Sequence, residues 1–192
     1  MVATRRYTTA DLDTLPDPEE GARYEIIDGE LIVSRQPTMG HQDACDELAT
    51  VLRRWSRATG RGWAVSAPGV IFAEDQNVAP DVVWISTDRL HAALDERGHL
   101  RDAPELMVEV LSPGVENIQR DRGTKLDLYS RRGVEEYWVV DWQHHRIEVY
   151  RRADAAPDLK LVATLQDDDT LTSPMLPGFG VRVGDLFYWQ SR

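Results

Sequence analysis

Cysteine is nearly absent from this chain of 192 residues, with Cys45 standing alone. An intramolecular disulfide framework is therefore excluded, and a reducing cytoplasm is the expected setting. Long apolar runs are missing too. None approaches the ~20 residues that cross a bilayer, and no signal-like stretch stands near Met1, so a soluble protein with no membrane association is expected. Positive charge is in short supply: 22 Lys and Arg face 33 Asp and Glu, a net charge of −11. Such a chain has no global field that gathers polyanions, so any nucleic-acid binding has to rest on a local basic patch or on metal ions. Most of the acid excess reads as solvated surface. Internal repeats, low-complexity linkers and glycine-rich phosphate loops are lacking, and neither Ser112 nor Cys45 belongs to a recognisable nucleophile arrangement with histidine. The length suits one domain, 1–192, with a substantial core.

The hydrophobic pattern alternates between strand-like and helical stretches. A short helix after Thr8 or Thr9 is stopped by Pro16. Asp28-Gly29, set between apolar stretches 24–27 and 31–33, signals a hairpin. Ala44, Leu48, Val51, Leu52 and Trp55 recur at helical spacing over 41–59, and Gly60 stands where a helix would stop. Strands are expected at 63–65, 70–72, 81–85 and 105–111, with a crossover helix at 88–97. A second main helix is expected over 118–132, then strands at 137–140 and 146–151. The tail predicts a strand pair around the Asp167–Asp169 turn, followed by an apolar and aromatic end. Together these elements predict an α/β fold with a central mixed β-sheet flanked by helices.

Two of the strand-like runs carry a lone acid: Pro80-Asp81-Val82-Val83-Trp84-Ile85 and Leu106-Met107-Val108-Glu109-Val110-Leu111. An ionised carboxylate among apolar neighbours costs several kcal/mol, roughly, unless a cation or strong donors compensate it. Taken singly, Asp81 reads as a turn acid at a strand start, while Glu109 is either a site acid or a residue facing solvent on an edge strand. Taken jointly, on consecutive strands, they point to a shared hard cation, with the Val110 carbonyl as a backbone ligand. On the next helix, positions 118, 122, 125, 126 and 129 form one face, which turns Lys125 and Arg122 toward the sheet. Lys125 there either orients or deprotonates a water, or lays its stem on apolar surface with its amine in solvent. Arg122 is a weaker phosphate-binding candidate. Arg53, Arg54, Arg57 and Arg61 make the best local basic patch.

These stretches, with Tyr24-Glu25-Ile26-Ile27-Asp28-Gly29-Glu30-Leu31, His41, Ser112-Pro113, Tyr129 and Gly133-Val134-Glu135-Glu136-Tyr137-Trp138-Val139-Val140-Asp141, give a pattern that resembles the Uma-two family. That family is a branch of the PD-(D/E)XK nuclease superfamily, and the matching stretches extend from about residue 7 to residue 187. The superfamily's lysine normally stands two residues after the second acid, where this chain has Leu111. The resemblance implies that Lys125 replaces it, that Glu25 is a further active-site acid, and that His41 touches a phosphate or a water on the metal. It further implies a restriction-endonuclease-like core acting as a Mg²⁺-dependent endonuclease on DNA, with Mn²⁺ as an alternative ion and RNA left open as a substrate. Asp81, Glu109 and Val110 would hold the metal, and Glu25, Asp81, Glu109 and Lys125 would form the catalytic set. The rival reading is a catalytically inactive dimeric interaction module that keeps the nuclease fold. The apolar tail (Met175, Leu176, Phe179, Phe187, Tyr188, Trp189) predicts a homodimer. Without metal, Glu25, Asp81 and Glu109 are expected to repel one another, raising at least one carboxyl pKa.

Overall fold

The computed structural model describes residues 5–16, 22–153 and 156–191, with side chains through 187. The short first helix, α1 (Thr9–Leu12), opens where Asp11 returns to accept the Thr8 N–H at 2.8 Å. Part of the N-terminal stretch, residues 17–21, lies outside the described residues. The hairpin β1 (Arg23–Ile27) and β2 (Glu30–Ser34) turns on Asp28 and Gly29, at φ of 49° and 79°. Both are left-handed, as a tight hairpin with matching twist requires. With β4 (Val70–Ala73) and β5 (Gln76–Val78), the hairpin forms a small antiparallel sheet in the order β2-β1-β5-β4.

The larger sheet contains β3 (Gly62–Ser66), β6 (Val82–Ser86), β7 (Leu106–Val110), β8 (Glu136–Asp141), β9 (Arg146–Arg152) and β10 (Leu159–Leu165). Their order is β10-β9-β8-β7-β6-β3. β7 and β8 run parallel while the other neighbours are antiparallel. A parallel pair needs a crossover, supplied by α4 (Val115–Gln119), a π-helical turn (Arg120–Lys125) and α5 (Leu126–Arg131). The long helix α2 (Met39–Thr59) starts at Thr38, whose hydroxyl accepts the His41 N–H, and ends at the left-handed Gly60. The remaining elements are α3 (Thr87–Ala93), the short pair β11 (Thr170–Leu171) and β12 (Val181–Arg182), and a 3-10 segment at Val183–Ser191.

Both faces of the larger sheet are covered. On one, Leu48 and Leu52 of α2 pack with Val82, Val108 and Trp138. On the other, Ile27, Val70 and Val78 of the small sheet and Leu128 and Tyr129 of α5 pack with Val83, Met107 and Val139. Double burial explains why β6, β7 and β8 read as continuous apolar runs.

Three expectations need correction. β10 pairs with β9 and β11 with β12, so the tail does not form one hairpin around 167–169. The apolar tail is not surplus to the core: Leu176, Phe179 and Phe187 are buried against α2 and the sheet, and Met175 packs on the same cluster. Those residues therefore offer no free interface, and the side chains of Tyr188 and Trp189 lie outside the described ones. The helix expected over 118–132 is interrupted, because its middle turn is π rather than α. That widened turn decides which side chains reach the site.

Candidate active site

Asp81 sits just before β6 rather than beginning it. The β6–β7 register pairs Val82 with Val108, so one step further Asp81 stands across from Glu109. Its Oδ2 accepts the Val110 N–H at 2.8 Å and lies 3.4 Å from His41 Nε2 at the start of α2. Burial alone would raise the Asp81 carboxyl, but the His41 contact and the Val110 N–H outweigh it and hold it below the usual value. The facing nitrogen of His41, Nδ1, is 3.5 Å from the buried Cys45 Sγ. His41, Cys45 and Asp81 thus bring ligand atoms within 4.8 Å of one another. Cys45 and Asp81 approach opposite ring nitrogens, so the three form a chain through the imidazole rather than a cage around one ion.

Glu109 lies next to the C-terminal residue of β7 and is 3% exposed. Its Oε1 accepts from the Tyr129 hydroxyl at 2.6 Å and from Lys125 Nζ at 2.9 Å. Lys125 also lies 3.2 Å from Glu25 Oε1, which takes the Ala79 N–H at 3.0 Å, and 3.9 Å from Asp121 Oδ1. Burial and the neighbouring Asp81, Asp121 and Glu25 hold the Glu109 carboxyl well above its usual value despite Lys125. Burial likewise pushes Asp121 up to about 6. Burial opposes the charge on Lys125, yet Glu109, Glu25, Asp121 and Asp81 together raise its pKa, so it is a firm ammonium. Burial and Glu109 raise Tyr129, which remains a hydrogen-bond donor.

The four acids, Lys125 and His41 line one cleft of about 60 Å³, room for a few water molecules. Glu25, Asp81 and Glu109 share a feature there. Each has one oxygen engaged by donors of the protein, while no hydrogen bond from a described residue reaches its second; the Arg23 guanidinium stands 3.9 Å from Asp81 Oδ1. Glu136 gives the contrast. Equally buried in β8, it has Oε1 held by the Trp138 indole and Oε2 by Arg151 and Ser173. Glu136 is a satisfied structural acid; the cleft acids have coordination capacity to spare. Oxygen donors of that kind suit a hard divalent cation.

The sequence pattern of the Uma2 family, described as "Putative restriction endonuclease", matches residues 9–184. The chain belongs to the Uma2 family. Its fold is similar to that of a solved structure described as a "putative nuclease belonging to DUF820 from Anabaena variabilis ATCC 29413". The two are 20% identical, with a TM-score of 0.74 over 95% of this chain and 98% of that one. The likeness shows a restriction-endonuclease-like fold. No curated protein matches the chain.

This Uma2 chain has Leu111, 4% exposed, two residues past Glu109. The cation beside Glu109 comes instead from Lys125, delivered by the π turn. The same turn corrects the α-helical face read from the sequence. In a π turn residues five apart align, so Arg120 and Lys125 both line the cleft together with Asp121. Arg122 turns away, bound to Glu148 at 2.9 Å. Gly123 and Thr124, both weak helix formers, were the available hint. Asp121, Arg23, Arg35 and Arg120 had no sequence signal that singled them out. Of the arginine patch at the end of α2, Arg53 is bound to the Ala64 carbonyl and to Ser66, and none of the four lines the cleft. Among the described residues no helix is long and apolar enough to cross a membrane.

Proposed function

We propose that the cleft hydrolyses phosphodiester bonds of DNA with Mg²⁺ or Mn²⁺, the whole chain acting as one endonuclease domain. The observation that carries this reading is the set of three acids, Glu25 and Glu109 buried and Asp81 half-buried, each with one oxygen fixed by donors of the protein and the other without a hydrogen bond from a described residue. Four carboxylates face one buried lysine on the floor of the cleft, and the nearest arginine, Arg23, is 39% exposed and 3.9 Å from Asp81 Oδ1, so the floor has room for a further cation. Asp81 and Glu109, with the Val110 carbonyl, would hold the ion. When bound it would acidify a water and neutralise charge on the scissile phosphate. Lys125, kept charged by its neighbours, donates rather than abstracts. It therefore orients the attacking water and stabilises negative charge on the phosphoryl oxygens. Glu25, 3.2 Å from Lys125, is placed to take the proton that the water loses as its oxygen bonds to phosphorus. The leaving alkoxide takes its proton from solvent. His41 fixes Asp81 Oδ2 and so keeps Oδ1 available. Lys125, although it stands outside the superfamily's usual position, lies 2.9 Å from Glu109, which favours catalysis over a non-catalytic dimeric module.

The test is incubation of the purified protein with plasmid, single-stranded DNA and RNA in Mg²⁺, Mn²⁺ or EDTA, alongside thermal melts. Metal-dependent cutting of DNA is expected. Saturating metal at a hundred times its dissociation constant should add about 2.7 kcal/mol, or roughly 5–10 °C for a chain of this size. If no nucleic acid is cut and no divalent ion shifts the melt, the reading falls.

A homodimer remains part of this proposal, moved from the tail to the sheet edges. The exposed Trp63 and Val65 lie on edge strand β3, and Leu161 and Val162 on edge strand β10, where unpaired backbone invites a second copy. Light scattering should give twice the chain mass at about 10 µM, within reach of ordinary weak association. A monomer mass there removes the dimer.

A further inference from the structure

The cleft is divided by sign. Its floor is acidic and buried, whereas its mouth is lined by Arg23, Arg35 and Arg120. Arg23 keeps 39% of its side chain exposed, Arg35 is exposed, and Arg120 is half-buried. Arg35 has no carboxylate partner among the described residues. Arg120 uses Nη2 to reach Asn117 Oδ1 at 2.9 Å, while its Nε is buried with no hydrogen-bond partner among the described residues. Its Nη1 makes no hydrogen bond to a described residue and is not sealed from solvent, so the guanidinium keeps a donor for an anion from outside. In a chain of net charge −11, three arginines around one opening, with Lys125, offset the four acids of the cleft at the place where a polyanion would have to enter.

We propose that Arg35 and Arg120, flanked by Arg23, form a clamp for the phosphodiester backbone on either side of the bond presented to the acidic floor. The clamp rests on the nuclease reading for its role, and its geometry supplies what that reading lacks, a means of holding DNA against the chain's net charge. Guanidinium forks match phosphate oxygens in pairs. Several forks around one mouth fit successive phosphates of a polymer better than one small anion. The floor takes the cation and the mouth takes the anion, so a phosphate bridging the two would be pinned from both sides.

The experiment measures binding of a short labelled DNA duplex by fluorescence anisotropy over a salt series, with Ca²⁺ replacing Mg²⁺, and cleavage separately in Mg²⁺. The variants are Arg35→Ala, Arg35→Lys and Arg120→Gln, checked for unchanged melting, with Arg57→Ala on α2 as the distant control. Arg35→Ala and Arg120→Gln should each weaken binding about tenfold and lower the salt slope by about one. Arg35→Lys should keep most of the slope, and Arg57→Ala should match wild type. Wild-type slopes and affinities in both clamp variants overturn the clamp, as does a loss confined to Arg57→Ala or no DNA binding at all. Displacement of the duplex by inorganic phosphate at matched ionic strength also overturns it, since the mouth is then a small-anion site. Cleavage that survives in variants with unchanged binding sinks the clamp and spares the nuclease reading. Clamp-dependent binding without cleavage does the reverse.

Discussion

Replacing Lys125 by methionine is expected to lower the melting temperature of the metal-free protein by about 6–20 °C at pH 7.5. The ammonium is 3% exposed and lies within 4 Å of Glu109, Glu25 and Asp121. Removing one partner of a buried ionic group strands the rest, at a cost of about 3–5 kcal/mol, and a chain of this length loses about 2–4 °C per kcal/mol. The sign follows from the lysine itself. Its folded pKa lies above the unfolded one, so its pairing stabilises the fold throughout the range below the ordinary lysine pKa and is lost only as pH rises through the folded value. The deficit should shrink toward pH 5, where Glu109 and Asp121, both raised, can take protons in place of the missing cation. Saturating Mg²⁺ should recover part of it. Calorimetry at pH 5 and 7.5 with and without the ion checks all three statements. A variant within about 1 kcal/mol of wild type at pH 7.5 would show that Lys125 is not the counter-ion of the cluster.

The extent to which this site was legible in the sequence can be judged from three carboxylates. Asp81 and Glu109 stood out because each interrupts an apolar run, and both line the cleft. Glu136 heads a comparable run, Glu136-Tyr137-Trp138-Val139-Val140, yet it is 0% exposed and fully satisfied by Trp138, Arg151 and Ser173. A lone acid on a core strand therefore reports burial with a partner, and whether that partner is the protein or a ligand depends on side chains distant in sequence. Register is the missing piece. Asp81 opposes Glu109 because β6 and β7 are antiparallel, and no local pattern states that pairing. The fold class was readable because double burial writes continuous apolar strands and an amphipathic α2. Strand β5 escaped because three residues, Gln76, Asn77 and Val78, are too few for a period-two signal.

The helix after β7 shows a different limit. Projection at 3.6 residues per turn placed Ile118, Lys125, Leu126 and Tyr129 correctly and only Arg122 wrongly. A π turn adds a residue per turn, exchanging Arg122 for Arg120 and bringing Asp121 into the acid cluster. Such turns have no reliable local signature, so the arginine that borders the cleft emerges only from coordinates. The tail misled for a related reason. Its apolar side chains were read as excess, whereas the long α2 and the sheet leave a surface that Leu176, Phe179 and Phe187 cover within the same chain.

Asp81→Asn and Asp121→Asn should separate function from strain. Sequence reasoning expects loss of the Asp81 charge to relieve repulsion, but the geometry reverses that expectation. Asp81 has a lowered pKa, through His41 and the Val110 N–H against the cost of burial, so its ionised form stabilises the fold at neutral pH and that contribution fades as pH falls through the folded value. Asp81→Asn should therefore cost about 1 kcal/mol or more without metal, abolish the gain in melting temperature on adding Mg²⁺, and reduce cleavage on the order of a thousandfold. Asp121 carries the strain instead. Its folded pKa of about 6 exceeds the usual 3.8, so the folded state binds the extra proton between those values and stability declines as pH rises across that window. At about 1.4 kcal/mol per pH unit the full penalty approaches 3 kcal/mol above pH 6. Asp121→Asn should accordingly raise the stability of the metal-free protein at pH 7, by less than that amount because a neighbour of Lys125 is lost, and leave it nearly unchanged at pH 4. Urea denaturation of both variants at the two pH values, with cleavage assayed in parallel, decides the matter. Should Asp121→Asn destabilise at pH 7 as much as at pH 4, the cluster is not over-charged, and the argument that it requires a cation fails with it.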